Sequence, residues 1–395
     1  MLAFSVCKNA GGAFKQAIIN GRIVMPYQVV TGQALLFDEK IVGLCAPDAL
    51  PSGCAVIDAA GQYVAPGLVD LHSHGYMGED ASDASAEGVR IMARSIARNG
   101  VTSWLPTTMT VSKQQLCAAF DNIRTLRQES RTPSWDGAEI LGVNAEGPFI
   151  NPARKGAQSG EHVLLPDPGF VLDFADVIRI VTLAPEMKGG LDFIDTLRSR
   201  TDILVSIGHT DATFEQAKAA VEHGAGHVTH TFNAMTGLNH RAPGAAGAAL
   251  TLPVTAELIA DTFHVHPALF PLVAKMKGEK LCLITDCTRA GGLSDGEYTL
   301  GGQPIFVRGI ECRLADGTIA GSVLKLNSAV KNLLDYAGLP VWEAVNCASR
   351  NPAAAIGQAN KGTLEAGRDA DIFLCDDRFA VSRTILRGKT IFMEP

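Results

Sequence analysis

The sequence lacks any apolar run near the ~20 residues that a bilayer-spanning helix requires, which argues against a helical membrane protein. Its first residues, Met1 to Lys8, have too short an apolar stretch, with no basic residue before it, to read as a secretion signal. It also lacks an excess of positive charge: 34 Lys and Arg stand against 41 Asp and Glu, a net charge of -7. A polyanion needs a basic face, so nucleic acid is not an expected partner, whereas a small anion needs only one local cationic pocket. No cysteine pair has CxxC spacing. The nine cysteines stand singly, at Cys7, Cys45, Cys54, Cys117, Cys282, Cys287, Cys312, Cys347 and Cys375. An odd number of scattered thiols in a long chain reads as reduced cysteine in a cytoplasm, and several as small buried hydrophobes. There is no solenoid-type repeat and no low-complexity tract.

What is present is 395 residues, 47% of them hydrophobic, which suits one large barrel and a smaller unit. Residues 16–60 alternate short apolar runs with turns, at Ala17–Ile19, Arg22–Met25, Ala34–Phe37, Ile41–Gly43 and Ala55–Asp58. The C-terminal end does the same at Ala370–Leu374, Arg383–Leu386 and Thr390–Met393. This predicts a small β-sandwich domain built from both termini, residues 1–61 and 355–395, around a middle unit of 62–354. In that middle unit, eight strand-like runs alternate with helix-like segments: Gly67–Val69, Thr102–Pro106, Glu139–Asn144, Val177–Leu183, Ile203–Ile207, His227–Thr229, Ala256–Ala260 and Leu281–Ile284. Ser112 with Gln115 and Thr213 with Gln216 read as capping boxes, and Gly224 as a helix stop. Val89, Met92, Ala93 and Ile96 form an apolar stripe. Eight strand–helix repeats predict a closed (β/α)8, TIM-like barrel, with an open doubly wound sheet as the alternative.

Six potential metal ligands or acid–base groups fall at or just after the ends of these runs, where barrel enzymes keep their active sites. His72 and His74 follow the first run, and as residues i and i+2 of an extended chain they point the same way. Glu146 ends the third run, His209 the fifth, His230 the sixth and Asp286 the eighth. Taken singly, each has a plainer reading, as a turn residue, a hydrogen-bonded structural histidine or a helix cap. Together, four histidines and two carboxylates at one rim predict a metal centre. Imidazole and carboxylate without thiolate suit zinc or iron(II), one or two ions per subunit. Asp286 suits the acid–base role beside them.

Pro66-Gly67-Leu68-Val69-Asp70-Leu71-His72-Ser73-His74 resembles the first-strand motif of the amidohydrolase superfamily, and Ala366-Gly367-Arg368-Asp369-Ala370-Asp371 its return into the small β domain. Three further motifs make nearly the whole chain similar to the N-acetylglucosamine-6-phosphate deacetylase family: Glu146-Gly147-Pro148-Phe149 leading to Lys155-Gly156-Ala157, the block His230 to Met235, and Ala320-Gly321-Ser322. The resemblance implies hydrolytic deacetylation of an amino sugar phosphate. It implies Glu146, His209 and His230 as metal ligands and Asp286 as catalytic acid and base. It further implies that Asn233, Ala234, Arg241 and His264 hold the sugar phosphate, and that Ala157, Gln158, Ile319, Ala320 and Gly321 line the sugar. Some family members lack the HxH pair and hold one metal; His72 and His74 make a second ion an expectation here. Some carry histidine where Gln158 stands, and Gln158 can donate a hydrogen bond but brings no charge. A homodimer is expected from the same resemblance. Three alternatives stand beside this reading. One is the galactosamine-6-phosphate epimer as substrate, one a hydantoinase- or dihydroorotase-like enzyme, and one a non-catalytic binding protein.

Overall fold

The structure, a computed structural model, describes residues 15–395; Cys7 and the Met1–Lys8 segment lie outside the described residues. Eight parallel strands form the central sheet: β1 (Leu68–Ser73), β2 (Val101–Thr108), β3 (Val143–Phe149), β4 (Ile178–Leu183), β5 (Leu204–Ile207), β6 (His227–Val228), β7 (Thr255–Ile259) and β8 (Leu281–Ile284). Each pairs in parallel with the next. Every residue of β1, β2, β3 and β8 is buried, as expected of strands covered on both faces. The barrel is nearly closed. Its first and last strands meet at a bridge between Ser73 and Cys287, with Asp286 N–H donating to His72 O at 2.8 Å and His74 N–H to Cys287 O at 2.9 Å.

A helix follows each strand and packs outside the barrel: Ala86–Ala97, Lys113–Glu129, Pro168–Leu172, Gly190–Arg200, Phe214–His223, Gly244–Thr251, Phe270–Lys277 and Leu326–Ala337. The first buries the expected stripe of Val89, Met92, Ala93 and Ile96, and Ser85 caps its N-terminus. Thr213 and Gln216 form a reciprocal capping box. The Ser112 cap is one-sided: its hydroxyl accepts the Gln115 N–H at 3.3 Å, while the Gln115 side chain meets that hydroxyl instead of the Ser112 N–H.

Two sheets are built from the ends of the chain, the first from both and the second from N-terminal strands alone. One runs Lys389–Met393, Val381–Leu386, Ile372–Cys375, Tyr63–Pro66, Arg22–Met25, Gln28–Val30; the other runs Ile41–Cys45, Ala34–Phe37, Gln16–Ile19, Ala55–Asp58. Ile18, Leu35, Phe37, Val64 and Ile372 belong to a core of their own, separate from that of the barrel. Three features depart from the sequence reading. Tyr63–Pro66 falls on the barrel side of a division at residue 62, yet it pairs with Ile372–Cys375 and Arg22–Met25. The third run is split at Gly142, whose φ of 155° suits glycine. Glu139–Ile140 pairs with β2, and β3 begins only at Val143, so Glu146 lies inside a strand, not at its end. An unanticipated three-stranded antiparallel sheet, Gly296–Leu300, Gln303–Arg308 and Glu311–Leu314, follows β8.

Candidate active site

The interior of β3, which carries Glu146, and the ends of four other strands bring the six expected side chains together. Glu146 is the centre of the group: its Oε1 lies 3.1 Å from His209 Nε2 and 2.8 Å from His230 Nε2, and its Oε2 lies 3.1 Å from His74 Nε2. His72 Nε2 is 3.4 Å from Glu146 Oε1. Asp286 Oδ1 stands 3.2 Å from His74 Nε2 and 3.5 Å from His72 Nε2. Two overlapping ligand groups result, His72–His74–Glu146 and Glu146–His209–His230, each with its ligand atoms within 4.8 Å of one another. All six residues are buried.

The outer ring nitrogens decide which inner ones are available. His74 Nδ1 lies 3.2 Å from Thr107 O, His209 Nδ1 2.9 Å from Arg154 O, and His72 Nδ1 3.0 Å from Glu257 Oε2. A carbonyl or carboxylate oxygen can only accept, so these Nδ1 atoms carry protons, and the Nε2 lone pairs of the neutral rings point inward. His209 Nε2 and His230 Nε2 are 3.2 Å apart, and His72 Nε2 and His74 Nε2 are 3.3 Å apart. Such pairs require something positive between them. Histidines oriented by an acceptor on the far side of the ring are the usual metal-ligand arrangement.

The electrostatics agree. Burial raises the Glu146 carboxyl, but His72, His209 and His230 hold it well below the usual carboxylate range. Burial works against Asp286 too, and the hydrogen bond from His74 with the charges of His72 and His74 keeps it low. In turn, burial disfavours charge on His74, yet Asp286 and Glu146 hold it up to about 9, and Glu257 and Glu146 hold His72 well above its ordinary value. Three buried carboxylates thus face neutralisable imidazoles. A divalent cation fits this donor set, since it can displace the imidazole protons and take over the pairing.

Backbone strain collects at these positions. His209, His230, Ala234 and Asp286 have φ of 46°, 25°, 49° and 49°, a region that costs a non-glycine residue about 1–3 kcal/mol. His209, His230 and Asp286 each stand two residues past a strand end, where the chain turns over the barrel mouth, and Ala234 lies further along the loop after β6.

A cavity of about 320 Å³ opens over the cluster. His74, Glu146, His209, His230 and Asp286 line it, together with Ala157, Gln158, Asn233, Ala234, His264, Ile319 and Gly321 from the expected sugar-phosphate contacts. His72 lies beneath, fully buried. Ala320 is buried behind the wall and Arg241 is exposed outside it, its guanidinium 2.9 Å from His240 Nε2; the structure does not bring these two into the cavity lining. The Gln158 amide is fixed, with Oε1 accepting Thr110 N–H at 2.6 Å and Nε2 donating to Glu146. His264 Nδ1 is held by Asp261 Oδ2 at 2.6 Å.

Several contributors escaped the sequence reading. Met109, Phe232, Leu300 and Thr318 also line the cavity, Leu300 from the unanticipated sheet. Gln303 of that sheet donates to Ala157 O at 2.7 Å and ties it to the loop after β3. Glu257 lies under the cluster, its only trace in the sequence being one acid inside an apolar run.

The amidohydrolase family model matches residues 63–391. The chain is 39% identical over 335 residues to an N-acetylglucosamine-6-phosphate deacetylase of Bacillus subtilis (strain 168), covering 83% of this chain and 84% of that one. It is 35% identical to an N-acetylgalactosamine-6-phosphate deacetylase of Escherichia coli O157:H7, covering 86% and 90%. Among solved structures, it superposes with a TM-score of 0.87 at 29% identity on a mutant N-acetyl-D-glucosamine-6-phosphate deacetylase from Mycobacterium smegmatis in complex with N-acetyl-D-glucosamine-6-phosphate, covering 97% of this chain and 100% of that one.

Proposed function

The chain belongs to the amidohydrolase family, among its N-acetylglucosamine-6-phosphate deacetylases, and from that premise we propose that it hydrolyses N-acetylglucosamine 6-phosphate to glucosamine 6-phosphate and acetate. The observation that carries the reading is the meeting of His209 and His230 on one Glu146 oxygen, at 3.1 and 2.8 Å, beside Asp286 and under a cavity. Glu146, His209 and His230 would hold a divalent ion, zinc or iron(II), and His72 and His74 a second one that shares Glu146. When bound, such an ion lowers the pKa of a water towards neutrality and polarises a carbonyl.

The chain's own groups do the rest. Asp286, kept ionised by its imidazole neighbours, accepts the proton of the attacking water. It then returns that proton to the departing amine as the amide C–N bond breaks. Gln158, locked by Thr110, keeps Glu146 oriented through its amide N–H. Asn233, the Ala234 backbone and His264 receive the phosphate end, while Ala157, Ile319 and Gly321 flank the sugar. Arg241, exposed beside His240, offers its planar fork to the phosphate in its own subunit or in the neighbouring one. Binding of that remote phosphate supplies energy to orient the amide over the reacting groups.

A homodimer and a cytoplasmic setting belong to the same proposal. Cys54, Cys117, Cys282, Cys287, Cys312, Cys347 and Cys375 are free thiols, which suits a reducing compartment, and no described helix is long and apolar enough to cross a membrane. A second reading, the galactosamine epimer as preferred substrate, is favoured by the 35% identical relative from E. coli. Acetate release from both epimeric 6-phosphates, with metal measured in the same preparation, tests the proposal. Faster release from the glucosamine form is expected. Preference for the other epimer moves the assignment to the second reading, and release from neither overturns both.

A further inference from the structure

We propose that Glu257 is a positioning residue that builds the His72–His74 half of the metal centre. The proposal rests on the reading above that His72, His74 and Glu146 hold an ion. Glu257 lies on β7 and is fully buried, below the cavity and outside its lining. Its Oε2 accepts from His72 Nδ1 at 3.0 Å and from the backbone N–H of His230 at 2.9 Å. Its Oε1 lies 3.1 Å from His227 Nε2, and His227 Nδ1 in turn bonds the Thr255 hydroxyl. One carboxylate therefore fixes the ring of a ligand from the first group and the backbone of a ligand from the second, and is itself oriented by a histidine that faces neither group.

The geometry has a chemical consequence. With an acceptor on Nδ1, the neutral His72 ring has no tautomer but the one whose Nε2 lone pair faces His74 and Glu146. Without it, His72 loses both the proton acceptor and the tether that keep its ring in register with His74. His74 and His209 draw the same service from the carbonyls of Thr107 and Arg154, which no side-chain substitution removes. At His72 alone that service comes from a side chain. Among the four imidazoles, His72 is therefore the one whose outer acceptor a substitution outside the ligands removes. His230 depends on Glu257 only through its backbone, so the Glu146–His209–His230 group is the less affected.

The test uses the purified full chain, stripped of metal and titrated with Zn2+ against a chelating dye, with the Co2+-loaded protein followed in the visible. Wild type is expected to take two equivalents and His72→Ala one. Glu257→Ala is expected to weaken the second equivalent by about 10–100-fold while the first stays near wild type. Glu257→Gln keeps one acceptor oxygen, so it should recover part of that affinity and shift the cobalt d–d bands, which loss of packing alone would not do. It also carries the test if the alanine variant fails to fold. Two equivalents at wild-type affinity in both Glu257 variants, with His72→Ala still losing one, overturns the proposal alone. A wild type that takes one ion, unaltered in His72→Ala, overturns the reading it rests on as well.

Discussion

At Asp286 the carboxylate is placed by its own strained backbone, with φ at 49°, and by contacts to both HxH imidazoles. It belongs to neither of the two three-residue ligand groups, so its charge can be removed without dismantling them. Asp286→Asn should lower the rate of acetate release by about 10²–10⁴-fold, the range for loss of a general acid–base, while metal content measured by elemental analysis stays at the wild-type level. Residual turnover within a few-fold of wild type would remove Asp286 from that role. The candidate ligands could be picked out in the sequence because imidazole and carboxylate recur at or near strand ends, a pattern that depends on residue type. Their outer partners were not. Thr107 O and Arg154 O are backbone carbonyls and carry no residue identity, and Glu257 sits in a run that otherwise reads as apolar strand. Arg241 was named from its spacing to His230, and spacing does not report which way a loop side chain turns.

Among the elements, the barrel strands were legible because burial on both faces demands near-continuous apolar runs. The sheet of Gly296–Leu314 was not. Its first strand exposes most of its residues, and the alternating burial of Gln303–Arg308 is masked in the sequence by Pro304 and the exposed Phe306, so neither carries a hydrophobic signal of that kind. The loop at Ile319–Gly321, just beyond that sheet, packs against the turn that carries Asp286. Ser322 N–H donates to Asp286 O at 2.8 Å, and Gly321 has φ of 56°. A Cβ on Gly321 would stand 2.7 Å from Thr288 Cγ2 and 3.0 Å from Asp286 O, so both backbone strain and contact press on the same turn. Gly321→Ala should therefore reduce kcat at least tenfold, in line with a displaced acid–base group (~1.4 kcal/mol). Metal content should be unchanged, as should melting to within a few degrees. Steady-state kinetics with unaltered kcat would show that the turn absorbs the methyl.

For the whole molecule, the joint between barrel and terminal sheets is electrostatic as well as apolar. Lys361 is buried, with its ammonium 2.8 Å from Asp371, 2.9 Å from Glu139 and 3.2 Å from Asp369. Glu139 comes from the short strand beside β2, whereas Asp369 and Asp371 lead into the last sheet. Arg387 also pairs with Glu139, and Lys40 with Asp369, so Asp371 is the carboxylate for which Lys361 is the ion-pair partner. Lys361→Met should cost about 3–5 kcal/mol in a denaturant titration, because it leaves buried negative charge uncompensated. A loss below 1 kcal/mol would mean that Arg387 and Lys40 suffice. The seam of the barrel has a consequence of another kind. His72 stands on its first strand with His74 just after it, and Asp286 just beyond its last, and they meet only where Ser73 and Cys287 join. On the ribosome, a chain that has emerged as far as β7 already carries all five candidate ligands and still lacks the proposed proton acceptor. The proposed acid–base group joins them only when the ring is shut, so a chain that stops short of β8 is expected to release no acetate.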